Sequence, residues 1–184
     1  MHVNESLVIA AAVEERCTFP EMVEQYQRPV YLLSLDLTGN HHDAEDLSQE
    51  VFMKAYRSFS RFRGEASLLT WLRRIAVNTY LNKRRKKALR FMRFFDDVDR
   101  SGGWAKEEPG PDVEAAGRVM RAAVEQALET LSPRERSAFV LRHYQDLAVK
   151  DVAEAMGCAE GTVKSLLHRS ARKLQKTLAP YRDE

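Results

Sequence analysis

Apolar residues along this chain recur at helical spacing rather than at every second position, so helices are predicted throughout and strands nowhere. Leu47, Val51, Ala55 and Phe59 form one stripe of a helix that opens at Asp43 and runs to about Phe59. Leu68, Leu72, Ile75, Ala76 and Thr79 form the inner arc of another, which starts after Arg63-Gly64-Glu65-Ala66 and reaches about Lys87. Asp112 is placed to cap a helix ending near Thr130. Ser132-Pro133-Arg134-Glu135 then joins an N-cap serine, a proline at the first helical position and a capping-box glutamate. A short helix over Val149–Met156 stops at Gly157, and a longer one starts near Glu160 and runs towards Ala179-Pro180.

Between the two groups of helices lies a stretch dense in breakers, Asp96 to Asp112, with Ser101-Gly102-Gly103 and Pro109-Gly110-Pro111. Such a composition describes a flexible linker with little to pack. The fold class expected is therefore all-α, with one small helical domain over 1–95, a linker over 96–112 and a second helical domain over 113–184.

Composition narrows the function classes. With 44% hydrophobic and 30% charged residues, the 184-residue chain is expected to fold. No apolar run approaches the roughly 20 residues of a membrane span, and Met1 to Ser6 lack the positive flank of a signal peptide. A cytoplasmic chain without direct membrane insertion is expected. Cys17 and Cys158 stand far apart and are read as incidental thiols. His41-His42 sit in a predicted loop, without the spacing of a metal site; neither metal nor cofactor is expected.

The net charge of +2 hides strong segregation. Residues 1–50 carry 2 basic and 10 acidic groups, whereas residues 51–95 carry 13 basic groups against the single acid Glu65. The next block, 96–133, returns to an acidic balance and 134–184 to a basic one. Blocks of this kind suit a protein that meets polyanion with some surfaces and a protein partner with others.

Short helix, glycine turn and basic helix over 149–178 form a helix-turn-helix. On the last helix Val163, Leu167, Ser170, Ala171, Leu174 and Leu178 gather on one arc, while Ser165, His168, Arg169, Arg172 and Lys176 fall opposite, with Lys164 at the edge. Lys164, Ser165, His168 and Arg169 are the candidates nearest base edges, with Thr162 a further DNA-binding candidate at the start of the helix. Arg172, Lys173 and Lys176 are the candidates for the phosphate backbone. A merely solvated basic face is the plainer reading of that helix alone.

In the first domain Asp43, Asp46 and Glu50 share one face with Gln49 and Met53 at its margin. Carboxylates spread along an exposed face suit charge-complementary docking or simple solvation, and spacing does not decide between them. Trp71, Arg74, Asn78, Leu81 and Arg85 line the outer arc of the next helix, which ends in Lys83-Arg84-Arg85-Lys86-Lys87. Cations and an aromatic on one face suit single-stranded or opened DNA. Trp71 as a core residue is an equally open reading.

Together these segments resemble the sigma factors of bacterial RNA polymerase. Asp43-Ala44-Glu45-Asp46-Leu47-x-Gln49-Glu50-Val51-Phe52, Phe62-Arg63-Gly64 and Thr70-Trp71-Leu72-x-Arg74-Ile75-Ala76-x-Asn78 are similar to conserved region 2. Leu131-Ser132-Pro133-Arg134-Glu135-Arg136 and Glu160-Gly161-Thr162-Val163-Lys164-Ser165-x-x-His168-Arg169 are similar to region 4. Their order and the short chain match the extracytoplasmic-function (ECF) group.

The resemblance implies promoter recognition, DNA opening and transcription initiation of a stress or envelope-response regulon, with no catalysis by this chain. It implies core polymerase docking, on the β′ clamp helices and the β flap, with Asp43, Asp46, Leu47, Gln49, Glu50 and Phe52 at the docking face. It implies −10 contacts by Arg63, Ser67, Trp71, Arg74, Asn78, Lys83, Arg84 and Arg85, and −35 contacts by the last helix. It also implies an anti-sigma factor as controlling partner, which would hold the chain near the inner membrane. Leu166 stands where the family often has a basic residue, and is expected at the flank of the DNA-facing arc.

Two other classes remain to be set against this. An ordinary helix-turn-helix regulator would account for the second domain but not for the acidic stripe and the Trp71 helix. A nuclease would need carboxylates converging on a metal, whereas these spread along a face.

Overall fold

The structure, a computed structural model, describes residues 18–62, 64, 66–94 and 115–181. The predicted linker, the proposed cap Asp112, Cys17 and Arg63 lie outside them. Seven α-helices occur among the described residues, with no strand. They are α1 (Phe19–Thr38), α2 (His41–Ser58), α3 (Leu68–Phe94), α4 (Ala115–Glu129), α5 (Pro133–Phe139), α6 (Val149–Met156) and α7 (Glu160–Leu178).

Helix α1 was not among the predicted elements, yet its start carries the same signal as α5. Thr18 and Glu21 close a capping box, with Pro20 in the first turn. Pro29 lies inside the helix and removes one ladder donor. Burial of Met22, Val30, Leu33 and Leu37 outweighs that loss. Gly39, at φ +82°, ends α1 in the left-handed region, and Asn40 caps α2 by accepting from the Asp43 N–H at 2.8 Å. His41 and His42 therefore open a helix rather than sit in a loop, because the asparagine cap precedes them.

The predicted bounds of α6 and the capping box of α5 agree with the structure. Helix α3 is a turn or more longer than expected. After α5 the chain makes one π-helical stretch, Val140–Tyr144, and then Asp146 takes a positive φ of 48°. The sequence showed no sign of that widened turn.

Helices α1, α2 and α3 pack on one another around Leu33, Leu37, Leu47, Val51, Leu68 and Leu72, all fully buried. Helices α5, α6 and α7 pack around Val152, Ala155 and Val163. A small second cluster, Ala127, Leu128, Leu131 and Leu174, seats α4 on α7. The two units are also joined: α3 packs on α5 and α6, α1 packs on the π-helical stretch, and a single core cluster runs through both.

On α7 the buried arc is Val163, Leu166, Ser170 and Leu174, and Ala171 is exposed. This corrects the expected arc. Leu166, 4% exposed, lies in the core rather than at the flank of the outward face. The physical reason is that α5 and α6 both pack on α7, so the stripe at i, i+3, i+7 and i+11 from Val163 is covered.

Candidate nucleic-acid and polymerase interface

Helix α7 turns its cations outward. Thr162, Lys164, Ser165, His168, Arg169, Arg172, Lys173 and Lys176 are exposed. Within that face the side chains differ in freedom. The Ser165 hydroxyl donates to the Gly161 carbonyl at 2.9 Å. Arg169 Nε donates to the Ser165 carbonyl at 3.3 Å and lies 3.9 Å from Glu135. Lys173 Nζ lies 2.7 Å from the same carboxylate.

Glu135 is the buried centre of this arrangement, with a side chain 6% exposed. Burial alone would raise its carboxyl. Hydrogen bonds from Lys173 and from the Ser132 N–H outweigh that and hold it below the usual glutamate range. The capping glutamate of α5 thus also restrains two cations of α7.

On the first unit, Asp46 and Gln49 are exposed on α2, continued along the same helix by Met53 and Tyr56, 56% and 69% exposed. Asp43 is half-buried and accepts from the Asn40 amide at 3.0 Å. Leu47 is fully buried and Phe52 packs partly against the core, so both shape the helix from inside. Glu50 lies 2.8 Å from Lys54 and 3.3 Å from Lys83 of α3. Partial burial would raise its carboxyl, and the two lysines overcome this and lower it.

Helix α3 presents Arg74, Asn78, Lys83 and Arg85 to solvent, with Arg84 half-buried. Ser67 stands at its start and accepts from the Thr70 N–H at 3.2 Å. Trp71 is half-buried, its ring 5.1 Å from Phe62 and 6.5 Å from Phe59. The core reading of Trp71 therefore holds in part: its ring packs on Phe59 and Phe62, and the residue stays partly exposed. Acidic and basic faces meet at Glu50 and Lys83, on one unit.

The chain is similar to known proteins in sequence and in fold. Residues 22–90 match the family model for sigma-70 region 2, and residues 121–174 match that for sigma-70 region 4. The RNA polymerase sigma-H factor of Pseudomonas aeruginosa is 30% identical over 182 residues, covering 96% of this chain and 94% of its own. The chain belongs to the ECF group of sigma-70 factors. The ECF sigma factor SigE of Mycolicibacterium smegmatis is 33% identical over 168 residues, 91% of this chain; the chain spans 64% of that relative's length. Among solved structures, the sigma factor RpoE of Bartonella quintana, crystallised with the anti-sigma factor NepR, aligns with a TM-score of 0.65 at 26% identity. That alignment covers 88% of this chain and 96% of the other.

The region 2 match spans most of α1, all of α2 and most of α3, and the region 4 match runs from within α4 to the last turn or so of α7. Several residues that organise these units escaped the sequence reading: Glu135 as an anchor for α7, and Asp36, Arg73, Arg136 and Gln145 where the units meet. Glu135 and Arg136 had a signal, both within the Leu131–Arg136 motif and Glu135 as a capping-box glutamate, but neither long-range partner was indicated. The partner of Arg136 is 100 residues away, a separation that periodicity does not reach.

Proposed function

We propose that the chain is a transcription initiation factor, which binds core RNA polymerase and directs it to promoters while catalysing nothing itself. In this reading the exposed Asp46–Gln49–Met53 face of α2 docks on the β′ clamp helices, and the Arg74–Asn78–Arg85 face of α3 holds the opened −10 element. Trp71 stacks at the margin of that face. Helix α7 reads the −35 element through Lys164, Ser165 and His168, with Arg172 on phosphate, and the second unit meets the β flap.

The observation that carries the reading is the adjacency at Glu50 and Lys83, 3.3 Å apart. An acidic docking face and a cationic, aromatic-bearing helix on one unit suit a protein that delivers opened DNA to a polymerase surface. An ordinary helix-turn-helix regulator has no use for that pair. Holding a base outside the stack costs on the order of a few kcal/mol, which stacking and phosphate contacts must offset.

The controlling partner in this reading is an anti-sigma factor, supported by the RpoE relative solved with NepR. The proposed compartment is the cytoplasm, with that partner supplying any hold at the inner membrane. Among the described residues no helix is long and apolar enough to cross a membrane. Co-sedimentation of the full chain with core polymerase tests the reading: a stoichiometric complex is expected, and its absence contradicts the assignment.

A further inference from the structure

Helical spacing divides the basic run of α3. Tyr80, Lys83, Arg84 and Lys87 fall at i, i+3, i+4 and i+7 and so share one face, while Arg85 and Lys86 lie off it. That face passes the corner where α1 hands over to α2, and Thr38, Asp43 and Leu47 complete a cleft with it. The cleft has a volume of about 170 Å³. A cavity of about 150 Å³ takes a benzene ring, so the space suits one small molecule.

Tyr80 gives this cleft an unmet polar demand. The residue is 5% exposed, and among the described residues its hydroxyl makes no hydrogen bond. Burial raises the phenol, with the Arg136 and Arg84 charges acting the other way, so at neutral pH it is a protonated donor. Guanidinium and ammonium groups only donate, so Lys83, Arg84 and Lys87 cannot receive that proton. Asp43 is the only carboxylate among the described walls, and it accepts from the Asn40 amide at 3.0 Å. A buried donor without an acceptor is costly, and a ligand oxygen at that point removes the cost.

The surrounding charge selects the kind of oxygen. Lys83 is shared with Glu50 at 3.3 Å, yet with Glu50 counted the cations of the cleft still outnumber the carboxylates three to two. The Arg136 charge also acts on the phenol. A phosphate monoester brings about 1.5 to 2 negative charges and three acceptor oxygens at pH 7. It matches one hydroxyl and several cations better than a singly charged carboxylate does.

We propose that this cleft binds the phosphate group of a small phosphorylated molecule, with the Tyr80 hydroxyl donating to a phosphate oxygen and Arg84 and Lys87 supplying charge. Lys83 and Arg84 are also the proposed −10 contacts, so an occupied cleft competes with promoter DNA for them. That consequence rests on the function proposed above; the site itself does not.

The test titrates the full chain with phenyl phosphate by calorimetry, beside phenol and inorganic phosphate, and repeats it for Tyr80→Phe, Lys87→Ala and Lys86→Ala. Tyr80→Phe removes a single oxygen, and Lys87 and Lys86 are exposed, so each variant is expected to keep the wild-type melting temperature within a few degrees. The wild type should bind phenyl phosphate saturably, with one site per chain. Loss of one hydrogen bond to a charged group should raise the Kd of Tyr80→Phe by about tenfold or more. Lys87→Ala should weaken binding several-fold, and more at low salt than at high. Lys86→Ala should bind as the wild type does, and phenol far more weakly than phenyl phosphate.

No saturable binding by the wild type overturns the site and leaves water to serve the hydroxyl. Equal affinity in wild type, Tyr80→Phe and Lys87→Ala, or equal losses in Lys86→Ala and Lys87→Ala, also overturns it. Inorganic phosphate held as tightly as phenyl phosphate overturns the preference for an organic phosphate. Added to the complex with core polymerase, saturating phenyl phosphate should lower affinity for a labelled promoter fragment, and less so with Tyr80→Phe at the same concentration. Unchanged affinity overturns the competition and leaves the site standing. A chain that forms no polymerase complex contradicts the sigma reading instead.

Discussion

The Lys173 ammonium lies 2.7 Å from the Glu135 carboxylate, tying the recognition helix α7 to the first turn of α5. A cation so held is partly committed to the fold, whereas Lys164 and His168 on the same face make no contact with Glu135. Lys173→Ala should therefore destabilise the protein by about 1–2 kcal/mol in a denaturant melt, since it leaves a buried carboxylate less satisfied. Lys164→Ala should leave the melt unchanged. It should weaken promoter binding and lower the slope of log affinity against log salt by about one. Equal loss of stability in both variants would contradict the distinction.

Glu135 also sets a pH dependence. Its folded-state carboxyl is held below the ordinary value of 4.5 by Lys173 and the Ser132 N–H against the opposing effect of burial. The unfolded chain thus takes up the proton first as pH falls. The stability from this group is complete above 4.5 and is lost as pH drops through the folded-state value. Glu135→Gln, which keeps an acceptor for the cap, should flatten the fall in melting temperature between pH 6 and 3. A wild-type slope retained in the variant would assign the effect to other carboxylates.

Charge reversal on α2 separates docking from folding. Asp46 is exposed and forms no ion pair among the described residues, while Glu50 holds Lys54 and Lys83. Asp46→Arg should lower affinity for core polymerase by on the order of tenfold or more with an unchanged melting temperature. Glu50→Arg should do both kinds of damage, since it sets a third cation beside two lysines. Undiminished binding by Asp46→Arg, measured by fluorescence titration, would remove α2 from the docking face.

At Gly39 the backbone and the neighbouring Arg136 side chain both favour glycine. The residue has φ +82°, and an added methyl would meet Arg136 Nη2 at 3.0 Å. Gly39→Ala should cost about 1–2 kcal/mol in thermal or denaturant unfolding, from the left-handed conformation alone. A variant as stable as wild type would contradict the left-handed conformation described for Gly39.

The sequence made most helices legible because their signals are local: caps such as Ser132 with Glu135, stops such as Gly157, and stripes such as Leu47, Val51 and Ala55. Helix α1 carried an equivalent cap at Thr18 and was obscured by Pro29, whose penalty is outweighed only by tertiary burial. The arc of α7 was misjudged at Leu166 and Ala171, because two neighbouring helices decide which flank of a stripe is covered. The roles of Glu135 and Arg136 were hidden for a related reason. Each depends on a partner 38 or 100 residues distant, and nothing in the local pattern names it. The motifs that located the candidate faces were short and local, so those faces could be read before the packing that holds them.

The most direct measurement of the central claim is run-off transcription with purified core polymerase and a library of promoter fragments. The account predicts discrete transcripts that depend on this chain, lost with Asp46→Arg through core binding and with Lys164→Ala through promoter selection. Core polymerase that starts no specific transcript when the full, folded chain is added would contradict it.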